Sequence, residues 1–152
     1  MLNFEDYVFE SKSHFLSGVV LIVDNKILLV RPKKFRRKIR KFSIPKGHIE
    51  AKVSKIKTAL HELEEESRIK LKKKHLKDSD KITIDYEKAG FKKILTCYIV
   101  KISKEELKVP LVNDMILRYF LKNEIEEAGF FSKNDAEKHI EKHQLPLLKY
   151  LD

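Results

Sequence analysis

The 152-residue chain holds one cysteine, no tryptophan, four glycines and four prolines. A lone cysteine forms no internal disulfide, so the fold must rest on its core, and a reducing compartment suits it. Cys97 sits within the apolar run 94–100, the setting of a buried structural thiol. No apolar stretch approaches the roughly 20 residues needed to cross a bilayer. The opening residues, MLNFEDYVFESK, are mixed and acidic and do not read as a signal peptide. A cytoplasmic protein is expected. Internal repeats, low-complexity tracts and linker-like stretches are also missing. Residues 1–152 are therefore expected to form a single domain, long enough to bury a real core.

What the chain does have is positive charge. Lysine and arginine number 33 against 23 acidic residues, a formal net charge of +10. A solvated basic face accounts for this, and so does attraction to a polyanion such as nucleic acid or a phosphate-rich nucleotide. The apolar fraction of 42% excludes a disordered chain.

Residues 18–30 read as two β-branched strands about the turn Asp24-Asn25-Lys26. The basic stretch 31–41 follows, then a short extended piece, Phe42-Ser43-Ile44-Pro45. From Ser54, a suitable N-cap, to about Arg68 the pattern is helical, with Ile56, Leu60 and Leu63 on one apolar stripe. Strands are expected over 81–86, 91–102 and 124–131. A helix capped by Ser132 should run towards His143, and a last turn is expected over 145–151. The mixture predicts an α/β (α+β) layered domain with a mixed sheet.

The chemistry concentrates in His61-Glu62-Leu63-Glu64-Glu65-Glu66. On a helix, Glu62, Glu65 and Glu66 stand at i, i+3 and i+4 and share one face. Three like charges repel, and a hard cation with a preference for oxygen ligands, such as Mg²⁺, relieves that repulsion. A solvated acidic face is the alternative.

Upstream lies Ile44-Pro45-Lys46-Gly47-His48-Ile49-Glu50. This run with the helix resembles the Nudix family, whose box is G-x5-E-x7-R-E-U-x-E-E-x-G-U, with U a bulky aliphatic residue. Gly47 matches the first glycine, Glu62 the glutamate after the arginine, Leu63 the aliphatic, Glu65 and Glu66 the acidic pair, and Ile69 the last aliphatic. Val53, His61 and Arg68 replace the first glutamate, the arginine and the second glycine. Loss of both members of a bracing ion pair strands no charge. Arg68 implies a different helix exit, or strain. The PKGHIE run looks most like diadenosine polyphosphate hydrolases and diphosphoinositol polyphosphate phosphohydrolases.

The resemblance implies an α/β/α sandwich and metal-dependent hydrolysis of a phosphoanhydride, in a nucleoside diphosphate-linked or dinucleoside polyphosphate compound, by attack of water at phosphorus. It implies Mg²⁺ or Mn²⁺ held by Glu62, Glu65, Glu66 and the Gly47 carbonyl. Glu124 is the expected extra catalytic carboxylate, with Glu126 and Glu127 as rivals and Glu50 a further candidate. Arg31, Lys46, His48, Arg36, Arg37, Lys38 and Arg40 are the expected phosphate contacts. Two alternatives remain: an RNA 5′-end pyrophosphohydrolase or decapping enzyme, and a non-catalytic Nudix-fold module that binds RNA or nucleotide.

Overall fold

The computed structural model describes residues 14–33 and 42–152. Strand β1 (His14–Val23) turns at Asp24-Asn25 into β2 (Lys26–Pro32). Both turn residues have positive φ, 50° and 59°. Short polar side chains tolerate that left-handed geometry, which matches the twist of a tight hairpin. Residues 42–45 lead to the short strand β3 (Lys46–His48), and helix α1 (Lys55–Ser67) follows. A one-turn helix α2 (Lys73–Lys77) precedes the hairpin of β4 (Asp80–Lys88) and β5 (Phe91–Lys101). Two-residue strands β6 (Leu111–Val112) and β7 (Met115–Ile116) come next, then β8 (Ile125–Phe131), helix α3 (Lys133–His139) and a 3-10 helix over Lys142–Tyr150.

Among the described residues the strands form one mixed sheet in the order β4-β5-β1-β2-β8-β7-β6, with β3 added to β1. β1 runs parallel to β5, and the other pairings are antiparallel. Alternation along β1 divides the core. Leu16, Val20 and Ile22 face α3 and the 3-10 helix, through Ala136, Ile140, Leu147 and Leu148. Val19, Leu21 and Val23 face α1 and α2, through Ala59, Leu63 and Leu76. Both faces are covered, which gives the expected α/β/α sandwich and explains why the central strands read as near-continuous apolar runs. Cys97 is fully buried, and burial pushes its thiol up to about 12, so it is a packing residue.

The pairings gather one end of the sheet: the starts of β1, β5 and β8 and the ends of β2 and β4. At that end β1 and β2 separate, and residues 42–48 enter the gap. Val30 and Ser43 exchange backbone hydrogen bonds at 2.8 and 2.9 Å, and Val19 N donates to Pro45 O at 3.1 Å. Gly18 is needed here, because a Cβ on it would fall 2.5 Å from the Pro45 carbonyl oxygen. The buried Gln144 side chain secures the same segment. It accepts from Ile44 N at 2.9 Å and donates to Ser43 Oγ at 2.9 Å.

Two sequence expectations change. Lys46-Gly47-His48, read as a way out of the extended piece, is a strand paired with residues 16–18. The last helix is shorter, ending at His139, because the chain turns at Ile140 into the 3-10 helix.

Candidate active site

Helix α1 begins where the sequence places it. Ser54 Oγ accepts from Lys57 N at 3.0 Å. It ends at Arg68, whose φ of 69° is left-handed and whose N–H donates to Glu64 O at 2.8 Å. The helix thus leaves by the route a glycine would take, with an arginine bearing the strain. Leu63 and Ala59 bury one side against the sheet, and this lays the neighbouring glutamates along β3.

Glu62 lies directly beneath Gly47: a Cβ on that glycine would overlap the Glu62 carboxylate. Only glycine leaves this space. Burial raises the Glu62 pKa, and Glu65 and Glu50 add to the rise against His61 and Lys46. Glu66, one turn on, accepts the Lys46 N–H through Oε1 at 2.8 Å. Burial pushes its carboxyl up to about 8; Glu62 and Glu124 raise it further, and Lys46 opposes. Two desolvated carboxyls therefore face the same short strand.

Glu65 is placed differently. Lys122 Nζ donates to its Oε2 at 2.6 Å, and this bond is the largest cause of its lowered pKa. His61 Nε2 lies 3.7 Å from Glu65 Oε1. Val53 and His61 line one pocket of about 270 Å³ with His48, Glu50, Lys57, Thr58 and Glu62. Two of the three departures from the box thus line one pocket.

Of the three outside carboxylates, Glu124 is exposed, yet its charge reaches Glu66. Glu126 and Glu127 are engaged by arginines, with Arg118 Nη1 at 3.5 Å and Arg31 Nε at 3.0 Å. Arg31 is 8% exposed and its guanidinium lies 5.8 Å from the Phe42 ring centre. Its Nη1 is buried without a hydrogen-bond partner. Lys46 and His48 flank Gly47 on β3. Arg36, Arg37, Lys38 and Arg40 lie outside the described residues.

Several residues of the site carried no sequence signal. Lys122 reaches Glu65 from a loop far along the chain. Lys88 and Glu141 line a small cleft of about 40 Å³ with Lys46 and Glu66. Lys88 Nζ is 3.3 Å from Glu141 Oε1, while Glu141 Oε2 is buried without a hydrogen-bond partner. His143 stacks on Tyr86 with ring centres 3.7 Å apart. Burial pushes His143 down to about 4, so its 3.6 Å contact with Glu141 is not an ion pair near neutral pH.

The donor chemistry suits a hard divalent cation. Glu62 and Glu66 offer oxygen alone, repel each other and lack the solvation that would settle their charges. Among the described residues no three Asp, Glu, His or Cys side chains converge on one point. The site therefore presents a pair of carboxylates, with Glu65 held by Lys122.

Known proteins share this fold. The fold is similar to an Ap4A hydrolase from C. elegans solved as a binary complex (TM-score 0.66, 19% identity, covering 90% of this chain and 93% of that one). It is similar to a MutT NUDIX hydrolase from Burkholderia pseudomallei (TM-score 0.64, 18% identity, 90% and 96% covered). It also matches a bifunctional NMN adenylyltransferase/ADP ribose pyrophosphatase from Francisella tularensis, complexed with AMP and a Mn ion (TM-score 0.65, 19% identity). That match covers 94% of this chain and 45% of that one. No curated protein matches the chain. No described helix is long and apolar enough to cross a membrane. The family model of the NUDIX domain matches residues 13–151. The chain belongs to the NUDIX domain family.

Proposed function

We propose that the protein hydrolyses a phosphoanhydride in a nucleoside diphosphate-linked or dinucleoside polyphosphate compound, with Mg²⁺ or Mn²⁺ as cofactor. The observation that carries this reading is the pair Glu62 and Glu66, desolvated and held one turn apart against Lys46-Gly47. A carboxyl pushed up to about 8 gains little by sitting empty beside a second carboxyl. A divalent cation held by these two, with Glu65 and the Gly47 carbonyl as further oxygen donors, supplies charge neutralisation at the anhydride oxygens and acidifies water.

The chain's own groups do the rest. Lys46 and His48 stand beside the carboxylates and hold the phosphate oxygens that flank the scissile bond. Glu66, bonded through Oε1 to Lys46 N, is oriented to take a proton from the attacking water. Glu124 adds negative charge next to Glu66 and so strengthens it as a base. Lys122 fixes Glu65. The likeness to Ap4A hydrolase and to ADP ribose pyrophosphatase supports a nucleotide with linked phosphates. The PKGHIE run favours the dinucleoside or inositol polyphosphate branch.

The net charge of +10 favours a second substrate for the same chemistry, the triphosphate or cap at an RNA 5′ end. A binder without catalysis gains nothing from two partly buried carboxylates facing a polyanion. The test is a screen of nucleotide and inositol pyrophosphates, triphosphorylated RNA and capped RNA with Mg²⁺ and Mn²⁺, with products identified. Glu66→Gln is the control. Release of nucleotide or phosphate by the native chain and not by the variant is expected. No release from any compound overturns the reading.

A further inference from the structure

The two edges of the sheet are built differently. β6, at one edge, is two residues long and offers little for another strand to pair with. β4, at the other, runs nine residues from Asp80 to Lys88 in unbroken register with β5, without proline or bulge. Among the described residues no strand lies on its outer side. The backbone N–H and C=O groups on that side are therefore open to a further strand, a state that short strands, prolines and bulges ordinarily prevent. One face of β4 belongs to the core: Ile84 is buried there, and Ile82 and Tyr86 pack beside it. Lys81, Thr83, Asp85 and Glu87 alternate with these and are exposed. Among the described residues no ion pair engages Lys81, Asp85 or Glu87.

Charge on an edge strand guards it against most partners. Here the charges are complementary to their own reversal. Laid antiparallel on a second copy about Ile84, Asp80 meets Lys88, Lys81 meets Glu87, Ile82 meets Tyr86, Thr83 meets Asp85 and Ile84 meets itself. Opposite charges and apolar pairs at facing positions stabilise a sheet, and like charges oppose it. Matching faces restrict the register to steps of two. One such step sets Asp85 against Asp85. The opposite step leaves Glu87 and Lys88 facing Ser79 and Asp78, outside the strand. β4 also carries three acidic residues against two basic ones in a chain of net charge +10, so two copies can approach there without opposing like charge.

We propose that β4 pairs antiparallel with β4 of a second copy, Lys81 opposite Glu87, and joins two sheets into one across a two-fold axis. A single strand pair buries less than the roughly 1,200–2,000 Å² of a stable interface, so the dimer is weak, with a Kd on the order of 10–100 µM. The interface adjoins the active-site end of the sheet, because Lys88 at the end of β4 lines the cleft beside Glu66.

Sedimentation of the full chain at physiological salt, over a range of concentrations, reads the dimer. Glu87→Lys sets a second lysine against Lys81 and should raise the Kd about tenfold. Lys81→Glu sets a second glutamate against Glu87 and should do the same. Mixed in equal amounts, the two variants regain opposite charges at both contacts and should pair with each other at close to the native Kd. Circular dichroism checks that each variant keeps its fold. Should one fail to fold, hydrogen exchange of the native chain decides: protection of the 80–88 amides should rise with concentration while that of β6 and β7 stays constant. A native chain that is monomeric well above the expected Kd overturns the pairing. So does a native dimer that Glu87→Lys leaves intact, a mixture no tighter than its components, or exchange in β4 that ignores concentration.

Discussion

The Glu62 carboxylate occupies the space that a side chain on Gly47 would fill. A strand residue and a helix residue thereby exclude each other, and the glycine decides where the carboxylate sits. Gly47→Ala should displace Glu62 while β3 stays paired to β1. Misplacing one catalytic group by about an ångström costs on the order of 10²-fold in rate. The expected result is that loss in kcat, with an unchanged far-ultraviolet circular dichroism spectrum. An alanine variant of native activity would show that Glu62 is not confined by this contact.

Glu66 ties function to stability with opposite signs. Its folded pKa, about 8, lies above the ordinary carboxyl value of 4.5. Between those values the folded state binds more protons than the unfolded state, so stability falls as pH rises through that window. Glutamine carries no such penalty. Metal-free Glu66→Gln should match the native protein below pH 4.5 and exceed it increasingly towards pH 8, by a few kcal/mol at the most. Denaturant melts in EDTA at pH 5 and pH 8 read this difference. Activity should be lost in the same variant.

Much of this site was legible in the sequence, and the limits have physical causes. Helix α1 was placed nearly to the residue, because its Ser54 cap and the Leu63 stripe are local signals. The glutamates stood out as one helical face through their spacing, and Gly47 through the resemblance to the family box. Lys122, Lys88, Glu141 and Gln144 did not, because each reaches the site from a distant part of the chain by tertiary packing, which no local period records. The hairpin of β6 and β7 was missed because two-residue strands carry no alternation. Its Asn113-Asp114 turn, with φ of 51° and 66°, was the available clue.

Arg68 closes α1 in a left-handed conformation, φ 69°, that suits glycine. The sequence suggested a different helix exit or strain; the exit is the ordinary one and the strain is local. Arg68→Gly removes a Cβ penalty of about 1 kcal/mol, partly offset by the greater freedom of glycine in the unfolded chain. A net gain of about 0.5 kcal/mol is expected, read as a small rise in Tm. A loss of stability would mean that the arginine side chain makes a larger contribution than its strained backbone costs.

Val53 and His61 share the pocket that Glu62 lines. If a glutamate and an arginine at these positions brace one another, His61→Arg alone leaves a cation without its partner and should not raise kcat/KM. The double variant Val53→Glu with His61→Arg should be at least as active as the native chain. A large gain from the single arginine variant would uncouple the two positions.

Gln144 is fully buried, and it satisfies Ile44 N and Ser43 Oγ on the segment that leads into β3. Gln144→Met keeps most of the volume and removes both polar partners. The buried Ile44 N–H then has no acceptor, a cost of about 1–3 kcal/mol. The segment it releases carries Lys46 and Gly47, so the loss should extend beyond stability. Lys46 N positions Glu66, and Gly47 confines Glu62. Kinetics well below the melting temperature should therefore show a fall in kcat with little change in KM. A variant that melts earlier yet turns over at the native rate would mean that β3 is held by its pairing with β1 alone.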